Sequence, residues 1–348
     1  MPGVTVTTRS IPAPTLRRGH PARALLAVLA LAAATTAAAC GAQAVAPTLV
    51  PYTPVPSITA LPQTPEPQFP ASLVDDERTT VAIPAEPLKI VSLTPAATET
   101  LFALGLGDRV VGKVEDFSTY PEAAAKVPDV AKFGSVDVEK IVGLGADLVI
   151  AGGANFNPPA SIARLRSLGV PVLVIFAPDV KTALADIGLV GRATGRVAEA
   201  AAVVARIRSA FDAVSAATAS LPKARVYYEL DATNGYFGPA PDYFGTEMIG
   251  VAGGDPLTSG TNGVYTIEAE KILSFDPEVI LLGDAAYGVT TDQVGQRPGW
   301  SMVAAVRSGT VRPIDDVIVT RPGPRLAEGI RALAIAIHPG LVLPSPAP

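Results

Sequence analysis

Few residues in this chain of 348 can do covalent or metal chemistry. It carries one cysteine, Cys40, and two histidines, His20 and His338. A single thiol forms no internal disulfide, and two distant histidines offer little to a His-rich zinc site. Asp116, Glu229 and Asp231 are isolated acids that an extracellular hydrolase would need as catalytic carboxylates. No paired carboxylate, nucleophile–base pair or metal-ligand spacing accompanies them. There is no Gly-x-Ser-x-Gly elbow, no Gly-rich phosphate loop before Lys-Ser/Thr, and no histidine in the body suited to a triad. The expectation is therefore a protein that is not an enzyme and holds no resident metal or cofactor. What remains is the material of a ligand pocket, apolar walls with a few directed polar groups. Pro95, Ala96, Tyr120, Phe133, Phe156, Tyr236, Tyr243, Tyr265, Tyr287 and Arg321 fall after strand-like runs or before helix-like ones, and they are the expected ligand contacts. Trp300 is assigned to core packing.

The elements that must position these residues follow from composition and periodicity. At roughly 100–200 residues per domain the length suggests two globular units. An apolar content of 49% excludes a mainly disordered chain. The net charge of −5, with no long basic run, argues against nucleic acid as a partner. From Leu88 onward, short apolar runs bounded by Gly, Pro and Asp alternate with helical patterning. Leu88–Leu93, Arg109–Gly112, Asp147–Ala151 and Val170–Phe176 read as strands; Thr98–Leu106, Val138–Leu144 and Ser161–Leu168 read as the helices between them. Such alternation means βα units. Asp179–Leu221 offers no strand, and Val197–Ala219 reads as one long helix. Alternation resumes at Arg225–Leu230 and runs to a final helix, Leu326–Ile337.

The N-terminal region has a different character. Residues 1–23 contain Arg9, Arg17, Arg18 and Arg23 without an acid, and Ala24–Ala39 is almost wholly apolar but short of the roughly 20 residues that span a bilayer. Small residues Ala37, Ala38 and Ala39 precede Cys40, which resembles a bacterial lipoprotein signal cleaved before the cysteine. In that reading Cys40 is the lipidation site, and two acyl chains suffice for stable anchoring. Prolines crowd Ala44–Pro70 and favour an extended tether. The expected organisation is a signal peptide over 1–39, lipidated Cys40 and tether over 40–85, an N-terminal α/β lobe over 86–178, a bridging helical segment over 179–222, a C-terminal α/β lobe over 223–340 and a tail over 341–348.

The two lobes echo each other. Glu139-Lys140-Ile141-Val142, followed by Asp147-Leu148-Val149-Ile150, recurs 131 residues on as Glu270-Lys271-Ile272-Leu273, followed by Glu278-Val279-Ile280-Leu281. Likewise Thr98-Glu99 leads through apolar residues to Gly107-Asp108, and Thr246-Glu247 to Gly254-Asp255. Two matched blocks in the same order imply two similar lobes.

The run Ile90-Val91-Ser92-Leu93-Thr94-Pro95-Ala96-Ala97-Thr98-Glu99 resembles the substrate-binding proteins of ABC importers for cobalamin, ferric siderophores and haem. So do Thr119-Tyr120-Pro121, Val138-Glu139-Lys140-Ile141, Arg297-Pro298-Gly299-Trp300 and Arg321-Pro322-Gly323-Pro324-Arg325. The resemblance covers roughly Leu88 to Pro339. It implies the class III periplasmic binding protein fold: two Rossmann-like α/β lobes joined by a single long bridging helix, with the ligand in the cleft between them. It also implies that Glu139 and Glu270 dock onto arginines of a permease dimer coupled to its ATPase, where charge-assisted bonds fix register. In cobalamin binders of this kind an aromatic stands six residues before each docking glutamate; Phe133 fits, whereas the other lobe has Val264 there and Tyr265 one place later. The phrase Asp284–Thr290 also looks like corrinoid-binding members. The resemblance thus implies a lipid-anchored, extracytoplasmic, monomeric protein delivering a metal chelate, cobalamin or another corrinoid first, a ferric siderophore or haem as alternatives. For siderophores Arg297, Arg321 and Arg325 are the candidate contacts, though Gly-Pro punctuation also suits surface turns; haem would require a tyrosine ligand. An extracellular hydrolase and an adhesive lipoprotein remain as readings of another class.

Overall fold

The computed structural model describes residues 69–118 and 120–345, which belong to one compact unit within Ala60–Pro348. The expected signal peptide, Cys40 and most of the tether lie outside the described residues. The chain opens with an antiparallel hairpin, β1 (Ala71–Val74) and β2 (Thr80–Ile83). The first lobe follows: β3 (Ile90–Ser92), α1 (Pro95–Ala103), β4 (Val110–Val114), β5 (Asp129–Lys132), β6 (Ser135–Val136), α2 (Val138–Gly143), β7 (Leu148–Ala151), α3 (Pro159–Ser167) and β8 (Val172–Val174). Next come helices α4 (Val180–Thr194) and α5 (Val197–Thr218). The second lobe contains β9 (Ala224–Glu229), β10 (Tyr236–Phe237), α6 (Phe244–Val251), β11 (Gly254–Pro256), β12 (Thr266–Ile267), α7 (Ala269–Phe275), β13 (Val279–Leu282), α8 (Thr291–Gly295), α9 (Ala304–Ser308), β14 (Val311–Pro313), α10 (Asp316–Thr320) and α11 (Leu326–Ile337).

The first sheet runs β6-β5-β4-β3-β7-β8, parallel except for the β5–β6 pair, and the second runs β11-β9-β13-β14, all parallel. Aligned on their central strands, β4-β3-β7-β8 and β11-β9-β13-β14 have the same order. The sequence echoes fall at corresponding places: α2–β7 matches α7–β13, and α1–β4 matches α6–β11. The central strands are buried on both faces, as parallel strands covered by helices are; β3, β7, β8 and β13 are wholly buried. In both sheets the loops at the carboxyl ends of the central strands meet at the switch in strand order, where open α/β sheets bind ligands.

The strand-free connection between the sheets contains the long helix read at Val197–Ala219, seen as α5, with α4 ahead of it. Gly195 ends α4 in the left-handed conformation (φ 75°), a state that a side chain would strain. The returning helix α5 then packs so close to α4 that a Cβ on Gly191 would collide with Ala200. One expectation needs correction: the tether expected over 40–85 extends too far. Val81 and Ile83 are buried, β1 packs against α4, and Asp75 accepts a bond from Arg166 of α3 at 2.9 Å. The hairpin is therefore part of the folded body. A single apolar cluster joins both lobes through these helices, including Leu101, Val190, Ile207, Phe244 and Ile330.

Candidate functional site

A cleft of about 450 Å³ opens between the lobes at the carboxyl ends of the sheets. On the first lobe Thr94 caps α1, its hydroxyl accepting from the Ala97 N–H at 3.2 Å, so Pro95 and Ala96 enter the cleft on the first helical turn. Buried Asn157 braces the next wall: its side-chain oxygen accepts from the Gly152 N–H at 2.7 Å and its amide donates to the Leu93 carbonyl at 3.1 Å. Gly152 has no room for a Cβ between Thr94 and Phe156. Phe133, Phe156 and Phe176 then stand in a row, with neighbouring ring centroids 6.3 and 6.5 Å apart. Phe133 is 78% exposed and marks the mouth. On the second lobe Tyr243 and Tyr265 meet edge to face at 6.0 Å, beside Asp242, whose carboxylate accepts from the Gly263 N–H at 2.9 Å. Burial pushes the Tyr243 phenol far up, and the Tyr265 phenol rises for the same reason.

Arg321 lines the cleft, but its guanidinium is neutralised by the opposite lobe. It donates to both carboxylate oxygens of Asp116 at 2.7 and 2.8 Å and to Glu99 at 2.9 Å. Arg325 forms a two-pronged bond with the same Glu99, at 2.7 and 2.8 Å, and Glu99 is 1% exposed. Arg297 is held likewise by Glu229 at 2.6 and 2.7 Å, with Trp300 and Tyr236 stacked against it. Arg297 and Arg325 do stand in turns, but all three guanidinium groups are paired and none offers a free charge to a ligand.

Residues 90–317 match the periplasmic binding protein family. Over 276 residues the chain is 33% identical to an uncharacterized ABC transporter substrate-binding lipoprotein, YvrC, of Bacillus subtilis, covering 78% of this chain and 86% of that one. The chain belongs to this family. This is the class of ABC importer substrate-binding proteins that its motifs resemble, and the family is one of transporter components rather than enzymes. A cobalamin-binding protein of Halobacterium salinarum is 31% identical over 281 residues, 78% of this chain and 74% of that one. The solved apo structure of the haem-binding protein RhuT from Roseiflexus superimposes with a TM-score of 0.63 at 26% identity, covering 72% of this chain and 98% of that one.

Within that family fold the expected contacts divide. Pro95, Ala96, Phe133, Phe156, Tyr243, Tyr265 and Arg321 line the cleft, while Tyr120, Tyr236 and Tyr287 do not. Tyr236 is drawn into the second lobe, 5.1 Å from the ring of buried Trp300. Tyr120 lies under the Arg325 guanidinium, and Tyr287 meets Phe117 at 5.9 Å outside the cleft lining. Of the two residues Val264 and Tyr265, Tyr265 is the one that lines the cleft. Phe176, Asn155, Asp186 and Asp242 were not anticipated. Phe176 could have been found, because it ends a strand-like run as Phe156 follows one.

Glu139 and Glu270 are each the second residue of a short helix, α2 and α7, in matching places on the two lobes. Both are exposed, and among the described residues neither forms an ion pair. Their neighbours are tied down in parallel fashion: Lys140 donates to the Asp129 carbonyl and Lys271 to the Ser259 carbonyl, each at 2.7 Å. The lysines are thereby kept off the adjacent carboxylates. Among the described residues no helix is long and apolar enough to cross a membrane.

Proposed function

We propose that the protein captures a cobalamin-type chelate in the cleft and delivers it to an ABC permease dimer and its ATPase, docking through Glu139 and Glu270. In this reading Cys40 carries the lipid anchor on the extracytoplasmic face of the membrane, and the protein acts as a monomer. The observation that carries the ligand assignment is the aromatic wall of Phe133, Phe156, Phe176, Tyr243 and Tyr265 with its single lining arginine already neutralised by Asp116 and Glu99. An anionic ferric siderophore would look for free guanidinium groups. Haem would need counter-charges for its carboxylates and a tyrosinate for its iron, and burial moves both cleft phenols away from ionisation. A corrinoid fringed with neutral carboxamides asks for neither. The haem reading keeps one support, the two tyrosines in the cleft.

Incubating the full chain carrying Cys40→Ser with cyanocobalamin, haemin and ferric siderophores tests the ligand. Cyanocobalamin is expected to co-elute with the protein, and co-elution of a ferric siderophore alone overturns the assignment. Docking is tested separately with Glu139→Arg/Glu270→Arg. Uptake in cells should be abolished while the Kd for the ligand stays at the parent value; loss of both together removes the docking role.

A further inference from the structure

Asp186 has no place in the account so far. It sits in the middle of α4, is 95% buried on the complement of its 5% exposure, and lines the cleft. A buried carboxylate ordinarily has a cation beside it. Here the groups turned toward it are acids. Asp76, on the turn of the β1–β2 hairpin, and Asp179, two turns back at the N-cap of its own helix, both act on it as neighbouring negative charges. Asp76 is itself fixed, accepting from the Phe176 N–H at 2.5 Å while its own N–H donates to the Val174 carbonyl.

Among the described residues no cation forms an ion pair with Asp186 or Asp76; Arg78, on the hairpin turn, and Arg192, on α4, form none at all. Arg166 holds Asp75 and Glu77 of the hairpin; Arg321, across the cleft, holds Asp116 and Glu99 of α1. Arg206 of α5 donates to the Pro324 carbonyl. From the α6 side come Tyr243 and Glu247, and Glu247 accepts from the Val180 N–H. Lys181 lies next to Asp179. Burial, with the Asp76 and Asp179 charges adding to it, lifts the Asp186 carboxyl to about 8, so at neutral pH the uncharged acid is the main form.

We propose that Asp186 is a specificity-determining residue of the cleft: its carboxyl accepts a hydrogen bond from a peripheral carboxamide N–H of the bound chelate and disfavours a carboxylate at that place. This inference rests on the reading of the cleft as the ligand site. A carboxamide N–H offers a donor to a carboxyl oxygen of Asp186, which lines the cleft and accepts no side-chain bond from a cation. A carboxylate there brings a third acid into a pair already without a cation, and like-charge repulsion in a partly desolvated site is costly.

The test titrates the full chain carrying Cys40→Ser with cyanocobalamin and with its separated monocarboxylic acids, each having one carboxamide hydrolysed. The range runs from about pH 6 to about pH 9, across the value of about 8 at which Asp186 ionises. The parent should prefer cyanocobalamin over at least one monoacid by about tenfold, the scale of one hydrogen bond made or left unmade, and the preference should grow as Asp186 ionises. Asp186→Asn, which keeps a polar group but cannot ionise, should flatten that pH dependence and shrink the preference. Asp186→Leu should weaken cyanocobalamin binding by about tenfold. A parent preference that is absent, or flat with pH and unchanged in Asp186→Asn, overturns the inference; the parent profile decides it if a variant fails to fold. Tighter binding of haemin than of cyanocobalamin also overturns it, while leaving a chelate-binding cleft. If no chelate binds at any pH, the reading of the cleft falls and this inference with it.

Discussion

Asp284 shows how one buried acid writes itself into stability. It is 3% exposed, stands directly after β13, and neither carboxyl oxygen has a conventional donor. Burial, reinforced by the neighbouring Glu229 carboxylate, raises it to about 6. An acid raised above its unfolded value favours the folded state at low pH, and that advantage falls away as pH rises from about 4 through about 6. Asp284→Asn replaces the charge with an amide able to donate to Glu229. It should therefore leave stability near the parent value at about pH 4.5 and exceed it by about 2 kcal/mol at neutral pH. Thermal unfolding at the two pH values checks this, and a constant gap between parent and variant would refute it. In the proposed cleft, Phe133→Ala and Tyr265→Ala remove rings from the two lobes, so each should weaken cyanocobalamin binding by about tenfold, and Phe133→Ala should do so without lowering Tm because its side chain is 78% exposed.

At the scale of elements, the α4–α5 pair makes a sharp contrast between two glycines in the same helix. At Gly188 a Cβ meets only the tip of Arg192, at 3.9 Å, whereas at Gly191 it would run into Ala200 and the Arg196 carbonyl. Gly188→Ala should raise stability by up to about 1 kcal/mol through helix propensity. Gly191→Ala should lower it by about 1–3 kcal/mol through overpacking; equal effects in urea unfolding would mean that the helices do not meet as closely as described. The sequence made the central strands and their helices visible because apolar runs and helical periodicity are local signals, and the repeated Glu-Lys-Ile phrase located the matching faces. The hairpin was hidden, since two four-residue strands with half-exposed faces leave little pattern after a proline-rich stretch. The long helix α5 was legible from Val197 onward through its Ala-rich helical spacing, whereas α4, in the strand-free stretch before it, was not read as a helix of its own. In the cleft, Phe133, Phe156 and Tyr265 were legible from their place beside strand ends. Tyr236 was not separable from them, because its packing on Trp300 is a tertiary fact. The partners of Arg321 and Arg325 lie more than 200 residues away in sequence, beyond any local pattern.

For the whole molecule, those same partners join one lobe to the other. Glu99 and Asp116 belong to the first lobe, Arg321 and Arg325 to the second, and the shared apolar cluster continues the connection behind them. In the proposed docking mode, where two acids meet two permease subunits at once, a fixed separation of those acids is an advantage, and this cross-lobe network would hold it at the cleft edge. Glu99 is the shared anchor, accepting from both arginines while 1% exposed. Glu99→Gln would leave two half-buried guanidinium groups short of a counter-charge, and breaking a buried pair from one side costs about 3–5 kcal/mol. Glu86→Gln, by contrast, removes an acid 41% exposed that pairs with Arg109, a surface bridge worth about 1 kcal/mol or less. Hydrogen exchange should separate them in kind as well as in size. In Glu99→Gln, amides of α1 and of the first turn of α11 should lose protection together, because they flank the lost junction from opposite lobes. In Glu86→Gln any change should stay near β3 and α5. If the two variants lose equal stability and neither couples α1 to α11, the lobes are held by their common apolar cluster alone and the ion pairs only decorate its edge.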